Sequence, residues 1–216
     1  MDSQETLYRI IKALDESTKI AIVPSKVAGI DALAAALGLY LALKQKDKKV
    51  SLVYPGIIPD DFAEYIRKEE VISDPSLRDL VVAIDYSQTP ASKVSYSTAN
   101  DVLYLRISPI NSDFDSRRVT GSVEGFNFDL VITIGAQVPE DFGQTLTHLE
   151  DEFRNSLIIN LDNTDRNQRW GNINIVDVSA HCLSLLALNN IVKWGLNIDS
   201  KAAKVLLKGI SYSPVN

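Results

Sequence analysis

Three aspartates, Asp31, Asp85 and Asp162, each follow a short apolar run. Carboxylates placed at strand ends can hold a divalent ion through their oxygens. In an open parallel sheet the ligand crevice lies at the carboxyl ends of the strands, which is where these three are expected. The chemistry of such an ion is hydrolytic: it makes a hydroxide from water near neutral pH and neutralises charge developing on a phosphate. A plainer role competes with it. Asp31 opens an apolar helical stretch, where a carboxylate satisfies free amides and complements the helix dipole. Asp85 and Asp162 end strands, where Asp favours an Asx turn. No histidine stands close to any of them in sequence, and the plainer role is favoured.

Cations on the same expected crevice offer a second chemistry. Lys26, Arg166 and Arg169 could hold a phosphate without metal, or could be solvated loop residues. Arg117 and Arg118 lie in an irregular segment and read as surface. His181 adjoins Cys182 on an otherwise apolar stretch, and neighbouring residues do not share a helix face, so a nucleophile–base pair is not indicated. His148 lies among charges. No G-x-G-x-x-G and no P-loop is present.

The elements that must position these residues alternate. "KIAIVP", "KVSLVYPG", "DLVVAIDYS", "FDLVITIGA", "SLIINLD" and "NINIVD" read as strands, most of them buried. Residues 32–43 carry no charge and are expected as a helix buried around most of its circumference. "PDDFAEYIRKE" and "PEDFGQTLTHLEDEF" are expected as helices with acids in their first turns. "VSAHCLSLLALNNIVKWGL" is expected as a helix with Ser179 as its candidate N-cap and Gly195 as its stop, and "DSKAAKVLLKGI" to be capped by Asp199 or Ser200. "SKVSYSTANDVLYLRISP" alternates polar and apolar about "TAND", the pattern of an inserted antiparallel hairpin. The expected fold is a single α/β domain over residues 1–216, a mostly parallel, Rossmann-like sheet with helices on both faces.

Hydrophobic residues make up 45% of the 216, enough for a globular core. No apolar run is long enough for a membrane span, and "MDSQETLYRIIKALDEST" reads as a helix and not a signal peptide. The single cysteine, Cys182, excludes an internal disulfide and fits a reducing, cytoplasmic setting. A net charge of -6 disfavours non-specific binding to long nucleic acids, but leaves room for one local basic pocket.

"IINLDNTDRNQRWGNINIVD", residues 158–177, decides the functional reading. With the stretches above it resembles the catalytic domain of the DHH phosphoesterase superfamily, the RecJ and oligoribonuclease class of manganese-dependent enzymes, over residues 19–213. The family's first motif is a strand, His-x-x-x-Asp-x-Asp, then a small-residue helix. Here "IVPSKVAGIDALAAALGLYLAL" puts Ser25 where His belongs and Gly29 where the first Asp belongs, and keeps Asp31. The second motif aligns with "FDLVITIGAQVPEDFG", with Gly135 at the ligand Asp. Asp162, Asn167, Gly171 and Asp177 match the third motif, while Asn163 and Thr164 replace its two histidines. "KGISYS" meets the fourth, with Ser213 where Asp is expected. The resemblance thus implies the family's scaffold without its ligands. It implies a catalytically inactive binding or interaction module, with no cofactor and an unidentified protein or small phosphorylated ligand as partner. The family's C-terminal substrate-binding domain has no counterpart in these residues. Two rivals stand beside this reading. One is an active, hydrolase-like phosphoesterase on short oligonucleotides or cyclic dinucleotides, with manganese or magnesium on Asp31, Asp85 and Asp162. The other is a nucleotide or phosphate binder using the cationic loop.

Overall fold

The computed structural model describes residues 3–46, 48–87, 93–124 and 127–213. In chain order the first elements are α1 (Ser3–Glu16), β1 (Lys19–Pro24), α2 (Gly29–Lys44), β2 (Lys49–Val53), α3 (Asp60–Ala63) and β3 (Val71–Ile72). Four antiparallel strands follow: β4 (Asp79–Ile84), β5 (Lys93–Ala99), β6 (Val102–Ser108) and β7 (Val119–Glu124). The chain then runs through β8 (Leu130–Ile134), α4 (Gln144–His148), α5 (Glu150–Asn155), β9 (Leu157–Asp162), β10 (Ile173–Val176), α6 (Leu183–Lys193) and α7 (Ser200–Tyr212). These elements form two compact units. One is Met1–Leu77 with Phe126–Asn216, and the other is Arg78–Gly125.

The first unit is an α/β fold around six parallel strands in the order β10-β9-β8-β1-β2-β3. Its central strands are mostly apolar, and are buried after their first residues, because both faces are covered. Alternate residues serve opposite faces. Ile20, Ile22 and Ile132 pack with α2, α6 and α7, while Ala21, Val23 and Val131 pack with Phe142, Leu149 and Phe153 on the other side. The charge-free helix is α2, with Ala34, Ala35 and Ala36 wholly buried. Its small residues let α7 come close, so that a side chain at Gly38 would strike Leu206, and one at Gly209 would strike Ala34 and Ser184. No helix among the described residues is long and apolar enough to cross a membrane.

Three expected elements differ. "PDDFAEYIRKE" is helical for one turn only, α3, followed by a 3-10 turn at Lys68–Glu70. Only Phe62 and Ile66 of that stretch are buried, which gives a longer helix nothing to pack. "PEDFGQTLTHLEDEF" breaks into a 3-10 turn, α4 and α5: Gly143 at φ +53° separates the first two, and Leu149 at φ -114°, ψ 23° the last two. "DLVVAIDYS" is not a strand of the parallel sheet. It is β4, mostly exposed, and pairs antiparallel with β7 in a two-stranded sheet of the second unit.

The inserted hairpin is present as β5 and β6. Asn100 and Asp101, at φ 50° and 62°, supply the two left-handed residues of a tight hairpin turn. Ser92, where the expected hairpin begins, lies outside the described residues.

Candidate functional site

The strand order reverses between β1 and β8, and the crevice of such a sheet opens beyond the carboxyl ends of those two strands. Ser25, Gly135 and Asp162 stand at the ends of β1, β8 and β9, Gly29 and Asp31 at the start of α2, and most of them are already engaged. Ser25 follows β1 and is fully buried. Its amide donates to the Ile134 carbonyl at 2.8 Å, and its Oγ accepts from the Val27 amide at 3.2 Å. Gly29 starts α2 at φ +68°, with open space where a Cβ would stand.

Asp31 lies in the first turn of α2 but does not cap its own helix. Its Oδ2 accepts from the Leu183 amide at 2.6 Å and its Oδ1 from the Ser184 amide at 2.9 Å. Both amides are free donors at the start of α6, where a carboxylate also meets the positive end of the helix dipole. The N-cap of α6 is Cys182 and not Ser179, and the helix starts at Leu183. Ser179 instead turns back onto Asp177, its hydroxyl donating to Oδ1 at 2.6 Å.

Gly135 follows β8 at φ +72°, and its amide donates to the Leu161 carbonyl at 2.8 Å. A Cβ there would lie 2.6 Å from Ala28 Cβ and 2.7 Å from Leu183 Cδ1. The path a ligand side chain would take is therefore filled by packed carbon.

Asp162 ends β9 and is 2% exposed. Its Oδ1 accepts from the Asn163 amide and its Oδ2 from Asn167 Nδ2, each at 2.8 Å. Burial pushes this carboxyl above the usual carboxylate range, although the hydrogen bonds from Asn167 and Asn163 oppose it. Asn167 spends its second amide proton on the Ala136 carbonyl at 2.8 Å. Its Oδ1 accepts from Asn160 Nδ2 at 3.2 Å, and Asn160 Oδ1 accepts from Thr133 Oγ1 at 3.0 Å. This buried amide ladder joins β8, β9 and the loop after β9. Trp170 closes it, donating from Nε1 to the Ala136 carbonyl at 3.2 Å and packing on Phe142 and Phe153. Asn160 and Thr133 were missed in the sequence reading. The available signal was a polar residue at the middle of an apolar strand.

The remaining positions serve local structure. Asn163 Nδ2 donates to the Ala180 carbonyl at 3.1 Å, Thr164 Oγ1 accepts from the Arg166 amide at 3.3 Å, and Ser213 Oγ donates to the Gly209 carbonyl at 3.4 Å. Asp31, Asn163 and Ser213 do share a hollow of about 420 Å3, together with His181, Cys182 and Tyr212. Asp85 belongs to the second unit, where its Oδ1 accepts from the Ser87 amide at 3.0 Å in an Asx turn. It does not end a strand of the parallel sheet, contrary to the expectation from sequence.

The three cations do not share a cavity. Lys26 Nζ donates to the Pro55 carbonyl at 2.6 Å and lines a different hollow, of about 330 Å3, with Asp74, Asp141 and His148. Arg166 and Arg169 are exposed and line neither hollow.

Manganese, which the resemblance implies for an active relative, does not fit this donor set. Serine and asparagine are weak neutral ligands, glycine offers none, and both oxygens of Asp31 already hold amides. Among the described residues no group of three or more His, Cys, Asp or Glu side chains converges as a metal site would require.

No protein-family model matches the sequence, and no curated protein does. Among solved structures, an exopolyphosphatase-related protein from Bacteroides fragilis superposes with a TM-score of 0.65 at 16% identity. The match covers 99% of this chain and 53% of that one, so the chain spans about half the length of that protein. At this identity the likeness shows a shared α/β fold.

Proposed function

We propose that this chain is a degenerate relative of the DHH phosphoesterases that hydrolyses no phosphodiester and acts as a binding or interaction module. The observation that carries the reading is the wall at Gly135. The position the resemblance gives to a ligand carboxylate has its Cβ direction closed by Ala28 and Leu183. The bonds of Asp31 to α6 support it, because the one carboxylate kept in the first motif serves as a helix cap. Hydrolysis of this type requires ions at high occupancy, both to form the hydroxide and to stabilise the transferring phosphate.

Calorimetry with manganese tests the reading, with no binding tighter than about millimolar expected, or roughly -4 kcal/mol. Its companion is an assay with a short oligonucleotide and a cyclic dinucleotide, in which no turnover is expected. Steady hydrolysis abolished by Asp31→Ala, in a variant that stays folded by circular dichroism, overturns it.

A further inference from the structure

The second unit presents apolar faces that nothing in its own two ribbons covers completely. In the hairpin the register pairs Val94 with Ile107, Tyr96 with Leu105 and Thr98 with Leu103. Strand alternation puts these six on one face and Ser95, Ser97 and Arg106 on the other. In the other ribbon Leu80 pairs with Val123, Val82 with Gly121 and Ile84 with Val119, again one uncharged face. The two faces meet in part: Val82, Ile84 and Val119 join Leu105, Ile107 and Phe114 around a cavity of about 270 Å3. Beyond it, Leu80, Val94, Tyr96 and Val123 are each more than two-thirds exposed, and Leu103 and Leu105 more than half.

Side chains of this kind carry roughly 100–200 Å2 of coverable surface each. At these exposures the six leave roughly 400–800 Å2 open, at or above the roughly 300–600 Å2 typical of a monomer's largest patch. The upper end matches the roughly 800 Å2 that each partner contributes to an interface of standard size. Two-stranded ribbons are at best marginally stable alone, and gain stability when such a face is covered.

The covering partner must itself be an uncharged β-face. From Val94 to Ala99, β5 has no charge, proline or glycine, so it also lacks the usual devices that keep an edge strand from meeting another strand. A second copy of this chain supplies such a face. Although the chain carries a net charge of -6, no charged residue lies on the face, and copies meet there without like-charge opposition. A closed two-fold dimer is the commonest outcome for a self-complementary patch.

We propose that the second unit is a homodimerisation module, in which two copies of the chain pack these ribbon faces together about a two-fold axis. This goes beyond the reading of the crevice and holds whether or not the crevice hydrolyses anything.

Sedimentation velocity of the full chain from about 1 to 100 μM tests it, with twice the chain mass expected at the upper end. Tyr96→Lys with Leu103→Lys is expected to give a monomer with unchanged circular dichroism, and Ser95→Lys with Ser97→Lys, on the opposite face, to leave the dimer intact. Should the first pair disturb the hairpin, Thr98→Lys replaces a side chain already polar and exposed, and is expected to weaken the dimer at least tenfold. A wild-type chain that is monomeric at the highest concentration, even one that binds a different protein, overturns the proposal. So does a dimer unmoved by Thr98→Lys, or one broken only from the opposite face.

Discussion

Replacing Gly135 by alanine is the smallest change that measures the wall in the crevice. Two costs are expected, and they are separable. The first is conformational: a residue with a Cβ held at φ +72° costs roughly 1–2 kcal/mol. The second is steric: the new methyl would stand 2.6 Å from Ala28 Cβ and 2.7 Å from Leu183 Cδ1. The leucine tip can swing, but the alanine Cβ is fixed to its backbone, so the structure must shift, at roughly 1–3 kcal/mol. Alanine also stiffens the unfolded chain, which returns about 0.4–1 kcal/mol. The net loss is about 1–5 kcal/mol, set against the 5–15 kcal/mol typical of a folded domain. Gly29→Ala is the control. It has a similar φ of +68° but open space at the Cβ, so it lacks the steric cost. Urea unfolding should show a lower midpoint for Gly135→Ala with an unchanged slope, and a smaller drop for Gly29→Ala. Equal losses at the two positions, or a loss below about 0.5 kcal/mol at Gly135, would refute the wall. Gly135→Asp should lose more, since it also buries a carboxylate, and manganese should not restore it. Restoration by the ion would mean that the aspartate builds a metal site after all.

Three further outcomes follow from the same geometry. Asp31→Ala should cost about 1–2 kcal/mol by removing the acceptor of the Leu183 and Ser184 amides, and the loss should be identical in EDTA and in manganese; a loss that disappears in EDTA would make Asp31 a ligand. Carbon-13 titration should find Asp162 above the ordinary carboxylate value of about 3.9, because burial raises it. A folded pKa raised above the unfolded one means that its stability contribution is full below the unfolded pKa and is lost as pH rises through the folded pKa, so Asp162→Asn should flatten that decline; a midpoint at or below the ordinary value contradicts this. Leu183→Ala should cost about 2–5 kcal/mol alone, yet combine with Gly135→Ala for at least about 0.5 kcal/mol less than the sum; strict additivity would show that Leu183 is not part of the wall.

The sequence was most legible where one signal outweighed the rest. Six apolar runs separated by helical stretches pointed to the parallel sheet, and five of them lie in it. The sixth, "DLVVAIDYS", has the same composition but pairs antiparallel with "VTGSVE", a strand whose glycine and alternating polar residues gave no comparable run. Length and apolarity alone do not distinguish a sheet interior from a ribbon, because the partner decides burial. Helix ends were legible where a side chain acts locally: Asp199 accepts from the Ala202 amide at 2.8 Å, and Gly195 takes φ +68° after α6. They were illegible where the cap comes from far along the chain, as Asp31 does for α6 across 152 residues. The candidate site divided in the same way. Motif spacing brought Asp31, Asn163 and Ser213 to one hollow, but the amide ladder through Asn160 and Thr133 depends on which strand lies beside which.

The manner in which the motif positions differ bears on what the fold has kept. A site that had only lost its ligands would leave polar space behind. Here Ser25 is wholly buried and holds the Val27 amide, Asn163 holds the Ala180 carbonyl, and the space at Gly135 contains Ala28 and Leu183. Gly29 faces open space but carries no ligand atom, and Asp31, Asn163 and Ser213 line a hollow while holding hydrogen bonds of their own. Each of these positions now contributes to holding α2, α6 and the loop after β9 at the sheet end. Reinstating one ligand therefore costs stability before a second can make the first useful, because a single carboxylate binds manganese weakly. Beside Gly135 the crevice is closed by packed carbon, and both oxygens of Asp31 are held by amides of α6.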